Sequence, residues 1–388
     1  MKVLMIPPAS AGLVNGGVRR QVLKTAQGLR ALEVDVHLFD PSRLWDPARF
    51  DVVHLFQAGH EMLSLSRLVK HPTVRLVVSP VLFSRHSARR MRRWLWLESM
   101  WLQRFGGVAS ELMVKKWVCE KADLLLPNTP AEERWIQEAF GIAAKRMQWV
   151  PNGVDVQFAE ADSRLFEEKT GWDEVTLFVG HIVSKRKNLL KVIERYRAVD
   201  VVQGGRGTEG SGVVPGVKGT EGADGVQGPP LVLIGQTEGG GAYGEACRRA
   251  IEQNPDVVAL GPLQADDPLL ASAYRAARVF LLPSLFETPG IAAMEAAMAG
   301  AIPVVTAYGG TKDVFGEHAL YVEPTDTKGI LKALAQAYSM DGSSEHTQAE
   351  VNTQLESTNL QNPIQQHLAA HYSWEIVAQK TLKAYKTV

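Results

Sequence analysis

Short apolar runs rich in β-branched residues recur along the chain, with helical stretches between them. A first series occupies residues 2–6, 34–39, 51–56, 74–78, 123–126 and 147–150. These runs are nearly continuous rather than alternating, which is the pattern of strands covered on both faces, so they predict a parallel sheet between layers of helices. The pattern restarts with residues 175–179, 231–234, 257–260, 279–282 and 302–306. The expectation is an α/β chain with two Rossmann-like parallel-sheet domains, 1–165 and 166–370, followed by a last helix over 371–388.

Two stretches break the second series. Residues 204–228 hold 10 glycines in 25 positions, with Gly-Thr-Glu-Gly beginning at both 207 and 219. Such a segment buries too little to offset its ordering entropy and reads as a solvated insertion, 203–229. Residues 341–362, rich in Ser, Thr, Asn and Gln, read as a second, polar insertion.

Composition narrows the class. A chain of 388 residues with 45% apolar and 22% charged positions has room for two cores and excludes wholesale disorder, collagen and coiled coil. Cys119 and Cys247 lie far apart, with no second thiol or paired histidine at metal-ligand spacing. No apolar stretch reaches 18 residues, and the short N-terminal run is cut by Pro7 and Pro8. A cytoplasmic protein without a zinc site or a disulfide framework is expected. The net charge of zero hides an asymmetry: residues 1–164 carry 23 basic against 16 acidic side chains, and the remainder 19 against 26. Most of the excess lies in 85–121, with 9 basic and 3 acidic residues. This implies one specific surface rather than general nucleic-acid binding.

Three motifs carry candidate chemistry. Asn15-Gly16-Gly17 precedes a helix with Val18, Val22, Ala26 and Leu29 at helical spacing; the glycines either admit an anionic ligand to the amides of a helix N-terminus or form an ordinary turn. No G-x-G-x-x-G is present there, which weakens a dinucleotide reading. Lys185-Arg186-Lys187 follows the first strand of the second domain, where cations suit a pyrophosphate, although such a run can equally be a solvated surface. Residues 283–300 give the strongest signal. Thr288 is a candidate N-cap, Pro289 the first helical residue and Gly300 the stop, which places Glu295 in an Ala-rich helix and Glu287 before its cap.

Glu287 and Glu295, with seven residues between them, stand inside P-S-x-x-E-x-x-G followed by E-A-x-x-A-G-x-x-P-V-V, and this pattern resembles retaining glycosyltransferase family 4. The resemblance extends to Asn15-Gly16-Gly17, to Val150-Pro151-Asn152-Gly153-Val154-Asp155 and to Tyr372-Ser373-Trp374-Glu375. It implies a GT-B fold, two Rossmann-like domains facing across a cleft with the last helix returning to the first. It also implies a nucleotide-sugar donor, with ribose held by Glu295 and the transferring sugar by Glu287. The amides of Gly290 and Ile291 would meet the distal phosphate, Gly16 and Gly17 would add donor contacts, and no metal or other cofactor would be needed. The sequence departs from the family where His181 replaces an arginine, and where the following lysine comes one residue late, so either Arg186 or Lys187 could serve the diphosphate. It also offers no histidine over 77–81.

The implied activity is sugar transfer with retention to a glycan or lipid-linked acceptor, in surface polysaccharide or glycolipid assembly. The alternatives are a nucleotide-sugar epimerase of the same fold and a non-catalytic nucleotide-sugar or glycan binder. Finally, residues 85–105 combine Arg85, Arg89, Arg90, Arg92 and Arg93 with Trp94, Leu97, Trp101 and Phe105 at helical spacing. They form either an amphipathic contact with an anionic membrane or a helix with core tryptophans and solvated arginines.

Overall fold

The computed structural model describes residues 1–12, 16–203, 220–221, 227–340, 360 and 362–388. The chain forms two compact units, Met1–Gly153 with His371–Val388, and Val154–Ala370.

In the first unit β1 (Lys2–Ile6), β2 (Asp35–Leu38), β3 (Val52–Phe56), β4 (Arg75–Ser79) and β5 (Leu124–Leu125) pair in the order β2-β1-β3-β4-β5, all parallel. Alternate residues supply the two faces. Leu4, Ile6, Val53, Leu55 and Val78 pack with Leu95, Met113, Trp135 and Ile136 on one side. Val3, Met5, Val52, Phe56 and Val77 pack with Val22, Ala26 and Leu29 on the other, where Trp374, Val377 and Tyr385 complete the layer. The expected sixth strand over 147–150 is reduced to one bridge, Leu125 to Met147. Its neighbour β5 stops after two residues because Pro127 cannot donate to the ladder.

The helix Trp374–Tyr385, capped by Ser373, belongs to this unit. Glycines let it approach: a Cβ on Gly28 would lie 2.7 Å from the Ala378 Cβ, and one on Gly153 would lie 2.5 Å from the Trp374 ring. Near its end the Tyr385 hydroxyl lies 2.7 Å from Nδ1 of buried His54, whose Nε2 lies 2.9 Å from the Ser79 hydroxyl. Burial pushes the His54 pKa down to about 3.

The second unit begins earlier than the expected residue 166, because Phe158 packs edge-on to Tyr274 and the Phe166 amide donates to the Ser272 hydroxyl at 2.9 Å. It contains β6 (Val175–Val179), β7 (Thr220–Glu221), β8 (Gln227–Gly228), β9 (Leu231–Ile234), β10 (Val257–Gly261), β11 (Ala277–Leu282), β12 (Ile302–Thr306) and β13 (Leu320–Val322). The main sheet runs β10-β9-β6-β11-β12-β13 with every pairing parallel. Strand β13, three residues long, was too short to register in the apolar pattern. Most of the glycine-rich segment lies outside the described residues, as does the polar segment apart from 360 and 362. The described part of the first is not wholly solvated: β7 and β8 pair antiparallel, and a Cβ on Gly228 would lie 2.1 Å from the Ala198 carbonyl oxygen. The strand order reverses at β6 and β11, so the loops leaving their C-terminal ends flank the crevice where open α/β sheets bind ligands.

Candidate functional site

Two loops build the site. The first leaves β6 through Gly180, at φ 150°, and turns through a short 3-10 segment, Lys185–Lys187. Asn188 ends that turn in the left-handed region, and its side-chain amide donates to the carbonyls of Pro283, at 3.1 Å, and Pro324, at 2.6 Å. The Leu285 amide also donates to the Arg186 carbonyl at 2.8 Å. The cationic turn is therefore bolted to the second loop, which leaves β11, rather than waving in solvent.

Glu287 sits in that second loop, 6% exposed. Its amide donates to the Tyr308 carbonyl at 3.1 Å, and its carbonyl accepts from the Gly310 amide at 2.9 Å. A Cβ on Gly309 would stand 1.8 Å from the Glu287 carbonyl oxygen, so only glycine permits this approach. Three donors converge on Oε1 of Glu287: Lys187 Nζ at 2.6 Å, Ser284 Oγ at 2.7 Å and Arg186 Nη1 at 3.0 Å. Burial alone would raise the carboxyl pKa, but the two cations and the hydrogen bonds from Lys187 and Ser284 outweigh it and hold the value at about 2. Glu287 is thus an anion. Lys187 is shifted downward, chiefly by burial and against the pull of Glu287. Arg186 differs in exposure, its side chain 41% accessible against 12% for Lys187, and its guanidinium lies 5.7 Å from the Phe286 ring centroid.

The helix after this loop spans Ile291–Met298 and is capped by Gly290, not by Thr288 as expected. Gly290 adopts φ 81° and ψ 60°, a left-handed conformation that glycine takes without strain, so Thr288 and Pro289 stay in the loop. The shorter helix puts the amides of Gly290 and Ile291 at its N-terminus, the end that favours negative charge. Glu295 is buried on this helix, and its Oε2 accepts from the Tyr274 hydroxyl at 2.8 Å.

Arg186, Lys187, Glu287, Gly290, Ile291 and Glu295 therefore all lie in the second unit, on the loops that leave β6 and β11 and on the helix that follows the second. Gly16 and Gly17 belong to the first unit, where Gly16, extended at φ −146°, precedes the helix Gly17–Ala31; Asn15 lies outside the described residues. Two partners escaped the sequence reading. Ser284 lay inside the motif without a role, and Tyr274 meets Glu295 from a different helix, Pro268–Ala276, with no local signal. His181, in the family's arginine position, is exposed. Where a first-domain histidine was missing, Val81 follows β4 at φ 50°, a strained conformation for a β-branched residue. Among the described residues no group of three or more His, Cys, Asp or Glu comes together as a metal site would require, and no helix is long and apolar enough to cross a membrane.

The helix Ala88–Phe105 settles the placement of its tryptophans. Ala88 and Leu95 are buried, whereas Trp94, Trp96 and Trp101 are 58%, 61% and 51% exposed. They are not core.

Two family models match the chain: glycosyltransferase family 4 over residues 42–158 and glycosyl transferases group 1 over 221–340. A D-inositol 3-phosphate glycosyltransferase from Kribbella flavida is 27% identical over 293 residues, which is 72% of this chain; the chain spans 59% of that relative's length. Among solved structures, sucrose-phosphate synthase from Thermosynechococcus elongatus aligns with TM-score 0.66 at 16% identity, covering 100% of this chain and 99% of its own. The catalytic domain of starch synthase IV from Arabidopsis thaliana, bound to ADP and acarbose, gives 0.64 at 14% identity with 100% and 99% coverage. Anabaena HepE in complex with UDP gives 0.61 at 14% identity, with 100% of both chains covered. These likenesses show the GT-B fold.

Proposed function

We propose that this chain, which belongs to the family-4 type of glycosyltransferase, is a retaining hexosyltransferase that moves a sugar from a nucleoside-diphosphate donor to a hydroxyl of a glycan or lipid-linked acceptor. In this reading it acts in surface polysaccharide or glycolipid assembly, as a peripheral protein on the cytoplasmic side of the membrane. The observation that carries the donor half is the cluster of Lys187, Arg186 and Ser284 around the Glu287 carboxylate, set beside the N-terminus of the helix that bears Glu295.

The charge that grows on the diphosphate as the sugar leaves is met by Lys187, Arg186 and the amides of Gly290 and Ile291, with no metal required. Glu295 accepts from the ribose hydroxyls. Glu287 contacts the transferring sugar, where positive character develops. UDP and ADP, named with the structural neighbours, are the first nucleotides to try, and an inositol phosphate is one acceptor worth including.

Turnover and calorimetric nucleotide binding of Glu287→Gln and Glu295→Gln test this. Glu295→Gln should weaken the free nucleoside diphosphate, whereas Glu287→Gln should cut turnover about 10²-fold or more without weakening it. If both variants only lower the melting temperature and spare specific activity, the carboxylates are scaffold and the assignment fails. Donor consumption that proceeds equally without acceptor would indicate an epimerase instead.

A further inference from the structure

The described residues contain a dozen exposed large hydrophobic side chains, and seven of them fall between Trp94 and Val108. That concentration calls for a partner, because scattered apolar side chains are normal on a soluble surface and contiguous ones are not. The helix is held by one side: Ala88 and Leu95 are buried, and Met91 and Leu102 pack against the first unit's core. The opposite side is therefore fixed outward. It is divided along its length rather than around it. Arg89, Arg90, Arg92 and Arg93 crowd the first two turns, all exposed. Trp94, Trp96, Leu97, Met100, Trp101 and Phe105 follow.

The single acidic residue of the helix, Glu98, does not dilute this charge. Its Oε1 accepts from the Ser110 amide at 2.6 Å and its Oε2 from the Ser110 hydroxyl at 2.7 Å, which turns it toward the start of the next helix, Glu111–Lys121. The apolar end is also organised. Trp101 and Phe105 have ring centroids 6.2 Å apart, and the chain turns beneath them through Gly106 and Gly107, both at positive φ. A Cβ on Gly107 would lie 2.8 Å from the Trp101 ring, so the ledge closes only with glycine there.

We propose that the outward side of Ala88–Phe105 seats this chain on an anionic phospholipid bilayer, with Arg89, Arg90, Arg92 and Arg93 against lipid phosphates and Trp96, Trp101 and Phe105 in the headgroup–acyl boundary. Tryptophan suits that boundary because its ring is apolar and its N–H stays hydrated, and guanidinium pairs with phosphate in a bidentate manner. Chemistry selects a bilayer over a second copy of the chain: a second copy of this face, whose one carboxylate is bonded to Ser110, offers the guanidiniums no anionic partner, whereas anionic headgroups above acyl chains match both the arginines and the rings. The inference deepens the expected membrane contact by naming the face and the lipid chemistry, and it stands independently of the donor chemistry.

Sedimentation with lipid vesicles decides it. The chain should pellet with phosphatidylcholine vesicles containing a third phosphatidylglycerol, release as salt rises, and remain in the supernatant with phosphatidylcholine alone. Each arginine changed to glutamine at 89, 90, 92 or 93 should weaken partitioning roughly fivefold. The double variant Trp96→Ser and Trp101→Ser should lose the quenching of fluorescence by brominated lipid that the parent chain shows, while keeping its melting temperature, since both rings are exposed. Glu287→Gln should bind vesicles unchanged, which separates this proposal from the catalytic one. No pelleting on anionic vesicles overturns it, as does equal binding to neutral ones. So would a dimer in sedimentation equilibrium that the tryptophan substitutions dissolve, since that assigns the face to protein.

Discussion

Glu132 in the first unit and Glu287 in the second are both buried, and the two are treated in opposite ways. Glu132 is 1% exposed and, among the described residues, forms no ion pair; Oε1 accepts from the Leu82 amide at 2.5 Å and Oε2 from the Asn128 amide at 2.7 Å. Burial dominates there and lifts its pKa to about 7 despite those amides. Glu287 in the second unit is nearly as buried, yet two cations and a hydroxyl hold it near 2. Glu132 is a clasp: it fixes the amide just after strained Val81 and the turn after β5. Glu287 is an electrostatic hub where the loops leaving β6 and β11 meet. Depth of burial does not separate scaffold from site; the chemistry of the partners does.

The largest effect should come from breaking the hub. Lys187→Met removes the better buried of the two cations and leaves Glu287 with half-exposed Arg186 and the Ser284 hydroxyl, which should destabilise the fold by about 3 kcal/mol or more and abolish turnover. Thermal unfolding beside an activity assay checks this. If stability is unchanged, the pair contributes nothing and the contrast with Glu132 dissolves.

The pH dependence should have opposite signs in the two places. Glu287, with its folded pKa near 2 against an ordinary 4.5, stabilises fully above 4.5 and loses that contribution as pH falls toward 2. Glu132, raised from 4.5 to about 7, favours the fold most below 4.5, and that advantage is lost as pH rises through 7. His54 adds to the first kind: its buried ring stays neutral in the fold while the unfolded chain's imidazole takes a proton, so stability is lost as pH falls from 6.5 toward 3. Differences between the parent chain and Glu132→Gln or Glu287→Gln, measured by denaturant unfolding across pH, isolate each slope.

Glu132→Gln should then cost about 1–3 kcal/mol, because its NH2 must face a backbone N–H, while turnover per folded molecule stays the same. A fall in turnover without loss of stability would promote Glu132 from clasp to site. The smallest effect belongs to Arg186→Ala. With the side chain 41% accessible, stability should change by less than about 1 kcal/mol. Donor affinity should drop about tenfold if the guanidinium reaches the diphosphate.

Legibility from sequence followed the range of the interactions. The apolar runs located β1, β6, β9 and β12 at their observed bounds, because a doubly covered parallel strand carries its own signal. Shorter pairings such as β13 carry too few residues to register, and whether residues 147–150 complete a strand depends on Pro127 in its neighbour. In the site, Glu287 and Glu295 were readable from a local motif. The cap at Gly290 was misplaced because Thr-Pro is a strong local signal that yields to a backbone conformation only the fold requires. The convergence of Lys187, 100 residues away, and of its neighbour Arg186 on one oxygen of Glu287 has no local trace.

The return of the C-terminal helix bears on the order of events at the ribosome. The second unit is one continuous stretch, Val154–Ala370, whereas the first is completed by His371–Val388. Domains usually mature from the N-terminus as they emerge. Here the earlier-made unit lacks Trp374, Val377 and Tyr385 in its second core layer, and His54 lacks its tyrosine, until the helix Trp374–Tyr385 is translated. The later-made unit can finish first, so its half-built neighbour must wait through more than two hundred residues of synthesis, Val154–Ala370, with an apolar face open to chaperones.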